Sequence, residues 1–143
     1  MKPLVSIVIP VYKEVENIKH VVQSIYKSLA DVMDYEIIFV DDNSADGSLQ
    51  VCSDLSKNHP VKMIVRTDER GLSSAVIDGI NLSKREYIVV MDGDLSHPAS
   101  SIPNMIKMLS SHEADFVLGS RYIGKGSIDK NWSIFRHLSS RFA

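Results

Sequence analysis

The sequence is short of cysteine: Cys52 stands alone in 143 residues. One thiol excludes an internal disulfide and any C-x-x-C redox or zinc motif, and it favours a reducing, cytoplasmic setting. Long apolar runs are also missing. No stretch approaches the roughly 20 residues of a membrane-spanning helix, and Met1-Lys2-Pro3 leads directly into a strand pattern rather than a secretory leader. Any contact with a membrane is therefore expected at its surface. A third absence is the G-x-G-x-x-G turn of dinucleotide-binding proteins. Its place after the first strand is taken by Pro10-Val11-Tyr12-Lys13-Glu14, which argues against a phosphate cradle made of backbone amides. His20, His59, His112 and His137 have no metal-ligand spacing, and His97, beside Pro98, reads as a polar loop residue. Internal repeats, low-complexity stretches and linkers are absent too.

The composition, 44% hydrophobic and 24% charged, belongs to a globular protein of one domain. Its net charge of -2 is unevenly spread. Residues 121–143 carry Arg121, Lys125, Lys130, Arg136 and Arg141 against Asp129 alone, while the first 120 residues hold 11 basic and 17 acidic side chains. A basic tail on an acidic body suits an anionic partner; a solvated terminus is the competing reading. No nucleic-acid partner is expected.

Apolar runs alternate with helical patterns, which predicts a mostly parallel sheet covered by helices on both faces. Strands are expected at Leu4–Ile9, Glu36–Val40, Val61–Val65, Tyr87–Met91 and Phe116–Leu118. Ile18, Val21, Val22, Ile25 and Leu29 fall at helical spacing after Glu14. Ser44 or Asp46 can cap a helix that turns Leu49, Cys52 and Leu55 inward. Further helices are expected from Leu72 to Ser83 and from near Pro103, the latter with Ile102, Met105, Ile106 and Leu109 on one face.

Ligands of such sheets bind beyond the carboxyl ends of the strands. Four polar clusters lie at those ends: Pro10–Glu14, Asp41–Ser44, Asp92–Ser96 and Ser120–Tyr122. They should converge on one crevice. Asp92-Gly93-Asp94 is its chemical centre, because Gly93 tolerates unusual backbone angles and lets both carboxylates turn outward. Such oxygens suit Mg²⁺ or Mn²⁺ shared with substrate phosphates, although a capping Asp beside a solvated one would read the same. Asp41-Asp42 can accept hydrogen bonds from a ribose or base, with helix capping as the alternative for Asp41 or Asn43. Arg121 and Arg136 are each able to hold a phosphate bidentately.

Together, Ile-Pro-Val-Tyr-Lys-Glu, Val-Asp-Asp-Asn-Ser-Ala-Asp-Gly, Arg-Gly-Leu-Ser-Ser-Ala, Met-Asp-Gly-Asp-Leu-Ser-His-Pro and Gly-Ser-Arg-Tyr resemble family 2 glycosyltransferases. Within that family they are most similar to the dolichyl-phosphate mannose synthases. The resemblance covers nearly the whole chain. It implies a GT-A fold, a nucleoside diphosphate sugar as donor (GDP-mannose favoured), Mg²⁺ or Mn²⁺, and a polyprenyl or dolichyl phosphate acceptor at a membrane surface. By motif match, Pro10, Tyr12, Glu14, Val40 and Asp42 would surround the base and ribose. Asp92, Gly93 and Asp94 would meet the sugar nucleotide, with Asp92, Asp94 and Ser96 at the metal. Asp94 and Arg121 would serve catalysis, and Arg121 and Arg136 the acceptor phosphate.

A lipid phosphate, largely dianionic at neutral pH, needs no general base to attack the anomeric carbon with inversion. Two departures from the family pattern stand out. Asp-Gly-Asp replaces the commoner Asp-Ala-Asp, a change expected to be tolerated. The chain also stops at Ala143 where family members continue, so residues 1–143 read as one truncated GT-A domain, with 121–143 as acceptor loop and amphipathic segment. A catalytically inactive nucleotide-sugar-binding fragment is one alternative. A family 2 transferase using a uridine nucleotide and another acceptor is a second. A receiver-type signalling domain is a third, which Pro10-Val11-Tyr12 after strand one and Ser120-Arg121 after strand five argue against.

Overall fold

The structure, a computed structural model, describes residues 2–120. Four strands form one parallel sheet: β1 (Leu4–Val11), β2 (Asp34–Asp41), β3 (Val61–Val65) and β4 (Tyr87–Val90), in the order β3-β2-β1-β4. Helices α1 (Val15–Leu29), α2 (Ser48–Leu55) and α3 (Leu72–Asn81) connect them. A short 3₁₀ turn, Ala99–Ser101, leads into α4 (Ile102–Ser110). All strands point the same way, so the loops after β1, β2, β3 and β4 share one edge of the sheet.

Strand alternation decides which side chain meets which helix. Val5, Ile7, Ile9 and Val11 of β1 join Ile37 and Phe39 of β2 in a core with Ile18, Val21, Val22, Ile25 and Leu29 of α1. The expected α1 stripe is thus the buried one. Cys52 of α2 and Ile102 and Ile106 of α4 extend the same layer. On the opposite face Val8, Ile38 and Val40 pack against Ala75 of α3. Gly79 lets α3 settle closely there, since a Cβ at that position would stand 2.3 Å from Val8 Cγ1. Glycine inside a helix costs about 1 kcal/mol relative to alanine; here the close approach to the sheet offsets it.

Two expectations fail. Leu49 is 54% exposed, and the inward face of α2 is made by Ser48 and Cys52 with Val51 and Leu55 beside them. Phe116–Leu118 is not a strand. A strand exists through its ladder, and among the described residues none pairs with this three-residue run. Phe116 and Leu118 are accordingly exposed.

Candidate functional site

The loops at the carboxyl edge are built by a dense set of side-chain to backbone hydrogen bonds. Asp41, at the end of β2 and 3% exposed, turns back to accept the Ser44 N–H at 3.0 Å and also the Ser44 hydroxyl. The same Ser44 Oγ accepts the Lys13 N–H at 2.7 Å, which joins the β1 loop to the β2 loop. Asp46 then accepts the Ser48 N–H at 3.0 Å and the Val15 N–H at 3.3 Å, so one carboxylate fixes the starts of α1 and α2. Burial alone would raise the Asp46 pKa, but the bonds from Ser48 and Val15 hold it below the usual carboxylate range. The N-cap of α2 is Gly47 rather than Ser44 or Asp46; Asp46, one residue earlier, accepts the first helical N–H, and Asp41, rather than Asp42, restrains Ser44.

These loops hold backbone in an uncommon region. Lys13, Asn43, Ala45 and Leu95 have φ between 51° and 64°, and all four lie in loops at the carboxyl edge. Left-handed backbone at a non-glycine residue costs roughly 1–2 kcal/mol and persists only where surrounding structure imposes it. An open cleft of about 580 Å³ lies between the β1 and β2 loops, lined by Lys13, Glu14, Glu16, Asn17, Ser44 and Asp46.

Tyr12 projects from the end of β1, 44% exposed. Lys13 Nζ lies 5.3 Å and the Arg70 guanidinium 5.2 Å from its ring centroid, within cation–π range. Arg70 also donates to the Tyr12 hydroxyl at 3.4 Å. Asp42 faces the loop after β3: its Oδ2 accepts the Gly71 N–H at 2.8 Å, and its Oδ1 lies 3.0 Å from Arg66 Nη1. That ion pair lacks hydrogen-bond alignment, leaving Oδ1 without a hydrogen-bond donor. Pro10 is half-buried, and Glu14 accepts a hydrogen bond from Asn17 Nδ2. The Val40 side chain is fully buried and packs in the layer with Ala75 of α3.

Across β1, the β4 loop is far more open. The Asp92 side chain is 53% exposed, and Asp94 and Ser96 are exposed as well. Ser96 N–H donates to Asp94 Oδ1 at 2.9 Å. His97 Nδ1 accepts the Asp92 N–H at 3.1 Å, and its Nε2 lies 3.7 Å from Asp92 Oδ2. The role of Gly93 differs from the expectation: its φ is not positive, and Leu95 takes the left-handed turn instead. What glycine supplies is room. A Cβ at 93 would lie 2.9 Å from Val11 Cγ1, so the loop presses directly on the end of β1.

Hard oxygen donors flanking a tight turn suit Mg²⁺ or Mn²⁺. Among the described residues, however, no three His, Cys, Asp or Glu side chains converge as a ready metal site. Two carboxylates with phosphate oxygens as the remaining ligands fit that arrangement. Three of the four expected clusters thus meet at one edge. The fourth is described only to Ser120; Arg121, Tyr122, Arg136 and the segment 121–143 lie outside the described residues. Arg66, Arg70 and Gly71 had no assigned role. Arg66 follows a strand as a lone cation, and only the acidic residues near it in space, Asp42 and Asp78, distinguish it from a surface arginine.

Comparison with known proteins gives this crevice its context. The family model Glycosyl transferase family 2 matches residues 6–142. A dolichol-phosphate mannosyltransferase of Saccharomyces cerevisiae is 41% identical over 141 residues, covering 96% of this chain and 52% of its own length. One from Pyrococcus furiosus is 42% identical over 139 residues, covering 97% of this chain and 39% of its own length. The chain therefore spans only about half of the first relative's length and about two fifths of the second's. Among solved structures, the mannosyltransferase PcManGT from Pyrobaculum calidifontis in complex with GDP-Man and Mn²⁺ superposes with a TM-score of 0.66 at 26% identity, over 77% of this chain and 33% of that one. Glucosyl-3-phosphoglycerate synthase from Mycobacterium tuberculosis shares the fold at a TM-score of 0.61 and 18% identity, over 75% of this chain and 39% of its own. The parallel sheet with helices on both faces is thus the GT-A architecture, and the chain belongs to glycosyltransferase family 2.

Proposed function

We propose that this chain is the donor-binding part of an inverting mannosyltransferase that uses GDP-mannose and a polyprenyl or dolichyl phosphate. The observation that carries this reading is the identity of 41% and 42%, over nearly the whole chain, to two dolichol-phosphate mannosyltransferases. The neighbour with GDP-Man and Mn²⁺ supports a guanosine donor and a divalent metal.

In this reading the half-exposed Tyr12, with Lys13 and Arg70 beside its ring, contacts the nucleoside. Asp42 accepts from its ribose or base. Asp92 and Asp94 hold Mg²⁺ or Mn²⁺, which when bound neutralises the diphosphate leaving group. The acceptor phosphate attacks the anomeric carbon directly, so the residues of this chain orient and stabilise charge rather than remove a proton. Arg121 and Arg136 are assigned to the phosphates, with residues 121–143 at the membrane surface. No helix among the described residues is long and apolar enough to cross a membrane.

Calorimetry with GDP-mannose and with UDP-glucose in Mn²⁺, followed by an assay of mannose transfer to dolichyl phosphate, tests the proposal. Tighter GDP-mannose binding together with transfer supports it. Preference for the uridine nucleotide overturns the donor, and donor binding without transfer leaves a nucleotide-sugar-binding unit.

A further inference from the structure

Arg66, just past the end of β3, reaches Asp42, Glu69, Gly71, Ser74 and Asp78 from the carboxyl edge. Its side chain is 7% exposed. Nη1 lies 3.0 Å from Asp42 Oδ1 and donates to the Gly71 carbonyl at 3.1 Å. Nη2 donates to Ser74 Oγ at 2.6 Å and stands 3.7 Å from Glu69, while Nε is 3.1 Å from Asp78 Oδ2. The Arg66 backbone N–H donates to the Asp41 carbonyl at 2.8 Å, and Asp42 closes the ring by accepting the Gly71 N–H. One guanidinium therefore ties together the residue just past β2, the loop 66–71 and the first two turns of α3.

A buried charge persists only when paired and hydrogen-bonded, and a planar fork can serve several partners in fixed directions where an ammonium cannot. Asp78, Ser74 and the Gly71 carbonyl would be enough to seat the arginine on α3. The contact with Asp42 does something more: it sets the acidic side chain just past β2 that faces the loop bearing Arg70. Arg70 in turn lies over Tyr12. Resting on the reading of this crevice as a nucleoside diphosphate site, we infer that Arg66 is its positioning residue. It fixes the separation of Asp42, Arg70 and Tyr12, and so sets nucleotide affinity without touching the nucleotide.

The test measures GDP and UDP affinity by calorimetry in Mn²⁺, on the intact chain and well below the melting temperature of every variant. Arg66→Lys keeps a cation but loses the fork. Arg66→Met combined with Asp78→Asn removes one charge of each sign, which limits the folding defect. Asp78→Asn alone is the control that alters the arginine's seat and spares Asp42. Affinity is expected to fall about tenfold or more in both Arg66 variants, as when an outer residue orienting a ligand group is lost. The control should stay within about twofold. If Arg66→Lys binds as the unsubstituted chain does, or if affinity across all three variants simply follows melting temperature, the positioning role is overturned. Should the double variant fail to fold, Arg66→Lys decides alone. Failure of the unsubstituted chain to bind either nucleotide overturns the crevice reading itself, and the inference with it.

Discussion

The two halves of the crevice are built differently. Around β1, β2 and β3, Asp41, Asp42, Ser44 and Arg66 are buried and linked through side-chain bonds to the backbone of neighbouring loops. After β4, Asp92 and Asp94 are exposed, and the described bonds within that loop are local, from Ser96 to Asp94 and between Asp92 and His97. The first half is organised by the protein's own hydrogen bonds. The second holds two exposed carboxylates two residues apart, hard oxygen donors of the kind a divalent cation takes. Substitutions in the first half should therefore reduce stability, with nucleotide affinity also affected at Asp42 and Arg66, and those at the carboxylates of the second should reduce ligand binding alone.

The sharpest break of that comparison is Asp41→Ala. It strands the Ser44 N–H in a buried loop and frees the hydroxyl that holds Lys13. A loss of about 2–3 kcal/mol in urea unfolding is expected, since an unsatisfied buried donor alone costs about 1–3. A loss below about 0.5 kcal/mol, typical of an inert surface change, would show that the first half is not self-supporting. Asp94→Asn should do the opposite. Nucleotide affinity in Mn²⁺ should fall at least about tenfold, or about 1.4 kcal/mol, while melting stays unchanged. Equal affinity with and without Mn²⁺ in the unsubstituted chain would remove the metal from this half.

The same division explains what the sequence disclosed. The α1 stripe, the four parallel strands and the clusters after β1, β2 and β4 were legible because each depends on local periodicity and on one topological rule. Asp46 was legible as an acceptor at the start of α2 for the same reason, though the cap position itself falls on Gly47. Arg66 was not: its partners Asp42 and Asp78 meet it only through the fold, and a lone arginine after a strand carries no local signal. Phe116–Leu118 misled in the reverse sense, because its apolar pattern is local while a ladder partner is not. For Gly93 the right residue was singled out for the wrong property: the constraint is contact with Val11, which spacing along the chain cannot show.

That contact gives a third prediction. Gly93→Ala restores the family's commoner Asp-Ala-Asp, and the sequence alone suggests it would be tolerated. With a Cβ 2.9 Å from Val11 Cγ1, either Val11 or the β4 loop must shift. Overpacking of this kind costs about 1 kcal/mol at its mild end. The displacement would also move Asp92 and Asp94 relative to Tyr12. Thermal unfolding and Mn²⁺-dependent nucleotide binding should therefore both weaken slightly. A variant more stable than the parent, with unchanged binding, would show that the β4 loop adjusts freely.

The smallest effect lies at the opposite edge of the sheet and serves as a reference for the other two regions. Glu36 of β2 accepts Ser6 Oγ at 2.7 Å, Lys62 Nζ at 2.9 Å and the Lys84 N–H at 3.0 Å, joining β1, β2, β3 and the segment that leads into β4. Burial would raise its pKa, but those three bonds and the Lys62 charge hold it below the ordinary 4.5. A carboxyl depressed in the folded state contributes stability that is complete above its unfolded value and lost as pH falls through the folded one. The contribution of Glu36 is thus intact above about pH 4.5 and declines below it. Asp46 acts with the same sign at the crevice edge, so Glu36→Gln should flatten only part of the acid limb of a stability–pH curve. Nucleotide affinity at neutral pH should be unaffected, because Glu36 lies at the far ends of the strands. An acid limb as steep in Glu36→Gln as in the parent would move the acid sensitivity entirely to the crevice loops, and make the two edges of the sheet less alike than their hydrogen bonds suggest.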